Sequence, residues 1–465
     1  VYWLIGGGMI VLAAVLLAWI SPRFDDAIPL SDRPVLPVAF GMVMAGIAYG
    51  LALPSLIRAS LDLGHRRSRS ALAIVLGAGL LARLVLFPST PVLEDDFYRY
   101  LWDGAVTAAG GNPYAVAPAD IAIGPNDRLG IVVGPDASRL LERIGHAELR
   151  SIYPPAAQAA FALAHLIEPW SLTAWRAVIL LCDLATIGLL LALLDRAGRS
   201  RLWAALYWWN PVVIAALYNG AHMDIVVLPP LLLALLLATG GASVASAASL
   251  AVAAGAKVWP ILLLPLVLRP LTADPRRLAA ALSVFTAVIL ITAAPVALAG
   301  LDETSGFTAY AQTWQRNTAL YPALAWLIAP LLDGFGWSPD FAGLAARGAM
   351  AVACAAFAVA VSLRPVADAG DLMRRTGPIV AALLLLAPAQ YPWYLIWLAP
   401  FLAFRPSPGL LLLAATLPVY FTAFYFLPRG QIGVFDHVVV WFIWVPVWAL
   451  LAREALDGWR RTRPR

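Results

Sequence analysis

The chain runs from ALAIVLGAGLLARLVLF (71–87) directly into PSTPVLEDDFYRYLWDGAVTAAGGNPYAVAP (88–118). The first segment is apolar apart from Arg83, and proline ends it. Three consecutive acids follow, Glu94, Asp95 and Asp96, with Arg99 and Asp103 close behind, in a chain of which only 13% is charged. Carboxylates gathered where an apolar run leaves off mark the border between a hydrocarbon phase and water.

The rest of the sequence repeats the apolar theme. The 465 residues are 62% hydrophobic with 18 tryptophans, and the mean hydropathy is +0.80. Apolar runs of about 20 residues, the length that crosses a bilayer, recur from end to end. No water-soluble domain hides that much apolar surface, so the fold class expected is an all-α polytopic membrane protein. The opening run 2–20 reads as a first transmembrane helix, because it lacks the basic stretch of a secretion signal. Cys182 and Cys354 lie within apolar segments and read as small core residues, with neither disulfide nor zinc implied.

Charge distribution sets the topology. Arginines cluster at 58–69, 196–201, 269–277, 364–375 and 453–465. Each cluster ends an apolar span, which argues against a nucleic-acid surface and, by the positive-inside rule, places all five in the cytoplasm. Spans are then expected near 2–20, 36–57, 71–88, 172–194, 202–218, 224–239, 279–298, 343–363, 409–427 and 437–452. The segments 243–268 and 379–404 are 26 residues each, too short for two crossings, and carry breakers in GAKVWP and APAQYPWY. Short paired or re-entrant helices meeting a polar cavity satisfy both length and parity. The sum is about 11–13 transmembrane or re-entrant helices in one domain, 1–465. Its parts are an opening hairpin (1–58), a large extracytoplasmic loop (89–172) and a second such loop (299–342). The large loop also holds the turn-rich GPNDRLG and GPDAS, then YPPAAQAAFALAHL (153–166), which reads as a helix lying in the interface.

Several groups of residues can carry chemistry. With a helix starting at Asp95, Asp96, Arg99, Tyr100 and Asp103 share one face. Either one acid serves a substrate while Arg99 neutralises another, or the acids merely favour a helix start. Hard oxygen ligands also make a divalent cation conceivable at the triplet. Asn219, His222 and Asp224 fall in YNGAHMD (218–224), and ionisable groups at that depth line cavities more often than not. Lys257 is the only lysine among 32 basic residues and calls for an anion, a phosphate being the functional partner and snorkelling to the interface the plain one. Arg316 and Asn317 beside Trp314, and Gln390 and Tyr391 in AQYPWYLIW, can bind phosphate or sugar hydroxyls, although aromatic belts are the ordinary account of such tryptophans and tyrosines.

Taken in order, EDDFYRYLWDG, GGNPY, YPP with Tyr153, NP…NGAHMD, AGAKVWPILLLPLVLRP, YxxxWxxN and PWYLIWLAP resemble the bacterial GT-C membrane glycosyltransferases. The likeness is strongest to the mannosyltransferases that use polyprenyl-phosphate mannose, and it spans about 90–404. The resemblance implies a sugar, mannose first, taken from a polyprenyl-phosphate donor on the outer face of a bacterial plasma membrane and passed to a lipid or glycan acceptor. It implies that Asp96, or its neighbour Asp95, is the base, and that Lys257 faces the lipid phosphate, with no certain cofactor. His222 and Asp224 match a motif in which Met223 replaces the usual asparagine. The opening hairpin departs from the simplest family layout, which starts with one helix. Single-displacement chemistry with inversion needs one base only, unlike a glycosidase's carboxylate pair. A transporter or flippase of lipid-linked sugars is the alternative reading, and a catalytically dead sugar-binding scaffold a third.

Overall fold

The structure is a computed structural model and describes residues 2–62, 65–121, 124–126 and 131–462. Residues 63–64 of the first basic stretch, 127–130 of GPNDRLG and 463–465 of the basic tail lie outside the described residues. Helices dominate, as the apolar periodicity requires. The small exception is an antiparallel pairing of Gly124–Asn126 with Ile131–Val133 inside the first large loop.

Eight helices among the described residues are long and apolar enough to cross a membrane: Tyr2–Phe24, Val35–Leu61, Ser68–Leu86, Leu172–Arg196, Pro275–Ala299, Pro339–Ser362, Pro408–Arg429 and Ile432–Arg460. Their outward faces carry exposed Leu51, Ile291, Leu298 and Phe442, side chains that lipid tolerates and water does not. The protein is therefore a multi-pass membrane protein. Spans expected at 202–218 and 224–239 are instead one bent pair, Pro211–Tyr218 and Met223–Thr239, with a turn of 106° between them. The cause is local: Asn219 and Gly220 interrupt the helix, and Ala221 takes a left-handed backbone at φ 54°. Both 26-residue segments are broken too, at Lys257–Val258 and at 387–391. Among the described residues, helices fit for a full crossing thus number eight, nine with the bent pair, and short helices occupy the segments where the further passes were expected.

The breaks gather at one end of the bundle and the arginine-rich turns at the other. At the basic end Arg199 donates to the Phe404 carbonyl (3.1 Å), and Arg269 to that of Leu363 (3.0 Å). At the opposite end lie the acid triplet, the loop before Tyr153 and the loop 299–318. Helices α1 (Tyr2–Ile20), α2 (Val35–Asp62) and α3 (His65–Leu86) pack together and deliver the chain to that end. There α4 (Asp96–Ala108) lies across the helix Pro155–Ile167. Gly104 permits the approach, since a Cβ there would fall 2.5 Å from the Phe161 carbonyl oxygen.

One buried ion pair, not anticipated from the sequence, ties the spans together. Arg83 of α3 and Asp183 of the helix Leu172–Arg196 are wholly buried and 2.6 Å apart. Arg83 also donates to the carbonyls of Gly79 (3.0 Å) and Trp208 (2.8 Å) and lies over the Trp208 ring, while Tyr207 and Tyr218 donate to Asp183. A charge in hydrocarbon survives only when matched in this way. Asp183→Leu, which strands the guanidinium, is expected to cost about 3–5 kcal/mol. It should lower the detergent melting temperature, read by thermal size-exclusion. The Arg83→Met/Asp183→Leu double variant should recover most of that loss, and equal melting of the Asp183→Leu single variant and the native protein would disprove the coupling.

Candidate active site

The acid triplet is held from beneath by a side chain on another segment. Pro88 stops α3, and Asn219 captures the turn beyond it: its amide donates to Ser89 Oγ (2.9 Å) and the Thr90 carbonyl (2.8 Å), and its oxygen accepts from the Val92 N–H (3.1 Å). Arg176 binds the carbonyls of Phe87 (2.8 Å) and Asn219 (3.1 Å), closing the knot. Leu93, just before the acids, takes a left-handed backbone at φ 64°. Asp95 occupies the N-cap of α4, yet its carboxylate makes no cap bond.

The three carboxylates have different surroundings. Asp95 is exposed and faces the Gly145 turn. Glu94 is nearly buried, 4.0 Å from His222 Nε2, with one oxygen lacking a partner. Asp96 accepts from the Tyr100 hydroxyl (3.4 Å) and lies 3.7 Å from His222 Nδ1. Glu94 and Asp96 thus flank one imidazole from its two nitrogens, and no three metal-ligating side chains converge among the described residues. Burial first, then the charges of Asp96 and Asp95, hold Glu94 well above the usual carboxylate range. Burial likewise raises Asp96, with Asp95 and Asp224 adding to it and Lys257 and Tyr100 opposing, to about 7.

The helix breaks bring the second half of the site to Asp96. His222 stacks on Trp393 (centroids 3.9 Å, 14°), and Trp393 on Tyr391 (4.4 Å). Both ring nitrogens of His222 lack a hydrogen-bond partner. Two residues on, one Asp224 oxygen accepts from Lys257 Nζ and from Trp397 Nε1, each at 2.9 Å. Lys257 also sits 5.1 Å from the Tyr394 and Trp397 rings, with Met223 Sδ at 4.0 Å, so a thioether stands where an amide was expected. Asp96, His222, Asp224 and Lys257 therefore share one region although they come from three separate segments. Lys257 is already paired with a protein carboxylate, and its other donors remain for an anion.

Other expected residues have structural duties. Arg99 binds Asp103 (2.9 Å) and the Leu149 carbonyl (2.9 Å), and Asp103 in turn accepts from Ser151 (2.5 Å) and Gln158 (3.1 Å). Asp103 is thus engaged by protein donors on both carboxylate oxygens. Both ends of the Asn219 amide likewise hold the 87–92 turn. Asn317 donates to the Gln390 carbonyl (2.7 Å), and Gln390 closes the end of the helix Ala369–Leu386 through the carbonyls of Leu384 and Leu385. These two tie loop 299–318 to the 387–391 break, although each leaves one amide oxygen buried without a partner. Tyr391 lies within electrostatic reach of Asp96, Glu94 and Arg316 together. Tyr153 meets Tyr100 edge to face at 5.0 Å and flanks Asp96. Arg176 was not singled out in the sequence, where nothing separates it from other arginines, and Trp397 and Tyr310 entered only as letters of the PWYLIWLAP and YxxxWxxN motifs.

The family model described as alpha-(1->6)-mannopyranosyltransferase, N-terminal domain, matches residues 2–273. Its span takes in the acid triplet, His222, Asp224 and Lys257. It begins with α1, so the opening hairpin is part of the family's own domain rather than a departure from it. Neither the curated proteins nor the solved structures contain a match to the chain. With more than half of its length matched, this multi-pass membrane protein belongs to the alpha-(1->6)-mannopyranosyltransferase family and is a glycosyltransferase.

Proposed function

We propose that the protein moves mannose from a polyprenyl-phosphate donor to a hydroxyl of a lipid or glycan acceptor at the extracytoplasmic face of a bacterial plasma membrane. The observation that carries this reading is the meeting of Asp96 with the His222, Asp224 and Lys257 cluster, at the end of the bundle opposite the arginine turns. A sugar on a phosphate brings its own leaving group. The acceptor oxygen attacks the anomeric carbon, the carbon–oxygen bond to phosphate breaks with its electron pair leaving on phosphate, and Asp96 takes the hydroxyl proton. Lys257 and Arg316 offset the charge left on phosphate. One displacement inverts the anomeric carbon.

Asp96 suits the base because a proton acceptor works best with a pKa near the working pH. Neutral Glu94, beside His222, would offer a hydrogen bond to a sugar hydroxyl without adding negative charge near the phosphate. Asp95, exposed and turned away from His222, fits the base less well. The bend in the pair 211–239 keeps a flippase of lipid-linked sugars as the second reading, since interrupted helices at a polar cavity also serve transport. Catalysis needs no second compartment, so transfer in detergent separates the two.

Asp96→Asn should abolish transfer from radiolabelled polyprenyl-phosphate mannose in micelles, by at least about a hundredfold, while donor binding persists. Turnover at the native rate would remove Asp96 as base. With a single base raised to about 7, the carboxylate is protonated and idle below that pH. The rate should therefore climb about tenfold per pH unit on the acid side and level off above about 7; a profile flat from pH 5 to 8 contradicts the assignment. Lys257→Ala should raise the donor KM by about tenfold or more, in line with loss of a charge-assisted contact, and leave the acceptor KM alone. An unchanged donor KM would make the lysine purely a partner of Asp224.

A further inference from the structure

Asp96 walls a cavity that includes none of His222, Asp224 or Lys257. Its walls are Arg99, His146, Arg150, Tyr153 and Trp314, with Gly145, Leu149, Ile152 and Gly306 completing it. We infer that this cavity seats the acceptor sugar, with the hydroxyl to be mannosylated held against Asp96. The inference rests on the base assigned above and adds where the nucleophile comes from.

Three observations converge. First, Arg99 and Arg150 are each 8% exposed and rigidly held. Arg99 is fixed by Asp103 and the Leu149 carbonyl, Arg150 by Asp302 (2.7 Å) and the carbonyls of Ala299 and Gly300. Even so, Arg99 Nη2 and Arg150 Nε are buried without a partner. Unsatisfied buried donors cost stability unless something completes them, and sugar hydroxyls are good acceptors for a guanidinium edge. Second, half-buried Trp314 meets the His146 ring at 4.5 Å and is anchored by Arg347, which binds its carbonyl (2.9 Å). An amphipathic ring at the mouth of a polar pocket fits the C–H face of a pyranose. Third, the enclosed volume is only about 60 Å³, room for the edge of one ring with the rest of the acceptor outside. A primary hydroxyl, carried one carbon further out than the ring's secondary hydroxyls, reaches deepest into so narrow a space. The 1→6 linkage in the family's description is the outcome such a shape selects.

The division of labour also makes chemical sense. In a single displacement the nucleophile and the leaving group lie on opposite sides of the anomeric carbon. A base touching the nucleophile therefore has the acceptor pocket on one side and the phosphate cluster on the other.

Octyl α-mannoside is a suitable probe, titrated in micelles at saturating polyprenyl-phosphate mannose. Trp314→Ala and, separately, exposed His146→Ala should raise its KM tenfold or more while the donor KM stays within twofold. Octyl 6-deoxymannoside should not be mannosylated by the native enzyme. An unchanged KM for octyl mannoside in both variants, a parallel rise in donor KM, or efficient transfer to the 6-deoxy compound would overturn the inference. Calorimetric binding of octyl mannoside to Asp96→Asn, with and without Trp314→Ala, separates the two readings: active Asp96→Asn sinks the base alone, and binding indifferent to Trp314 sinks the pocket alone.

Discussion

Lys257 and Asp224 meet at 2.9 Å where two interrupted helices end, and much of the site's form depends on that pairing. An ammonium or a carboxylate alone at this depth carries a desolvation penalty that no amount of packing offsets. Together, with the Trp397 N–H as a third member, they become tolerable and fix the break at Val258 against the break at Gly220. The single lysine of the chain thus holds two short helices in register and still keeps donors for an anion.

The same constraint governs every break. Wherever a helix stops inside the bundle, backbone groups lose their intrahelical partners and water is scarce. Side chains step in: Asn210 caps Pro211–Tyr218, Arg176 and Trp175 bind the carbonyls of Asn219 and Ala221, and Gln390 closes the helix before Tyr391. These polar residues were easy to mistake for substrate contacts, since both duties demand amides and guanidinium groups at membrane depth. His222, Glu94, Arg99 and Arg150 also keep buried polar atoms without a partner, and these four surround Asp96.

Electrostatics then divides the three acids by role. Asp95 faces water, Glu94 is buried beside a histidine, and Asp96 lies between, reachable yet surrounded by protein. A triplet that looks uniform as letters becomes one exposed carboxylate, one that burial and its neighbours hold well above the usual range, and one raised to about 7. Leu93, with its left-handed backbone, and the Asn219 clamp on Val92 set the course of the chain into the triplet.

Hydropathy sufficed for the membrane class and for eight of the ten spans expected, because length against bilayer thickness and the cost of charge in hydrocarbon are properties of each segment alone. The ordered motifs, read against a known family, were enough to anticipate a mannosyltransferase. Which polar residues converge was not written locally. The 106° bend after Tyr218, the Arg83–Asp183 pair and the cavity joining Asp96 to Trp314 all depend on contacts across tens to hundreds of residues. Only folding decides which buried donors find protein partners and which are left for a substrate.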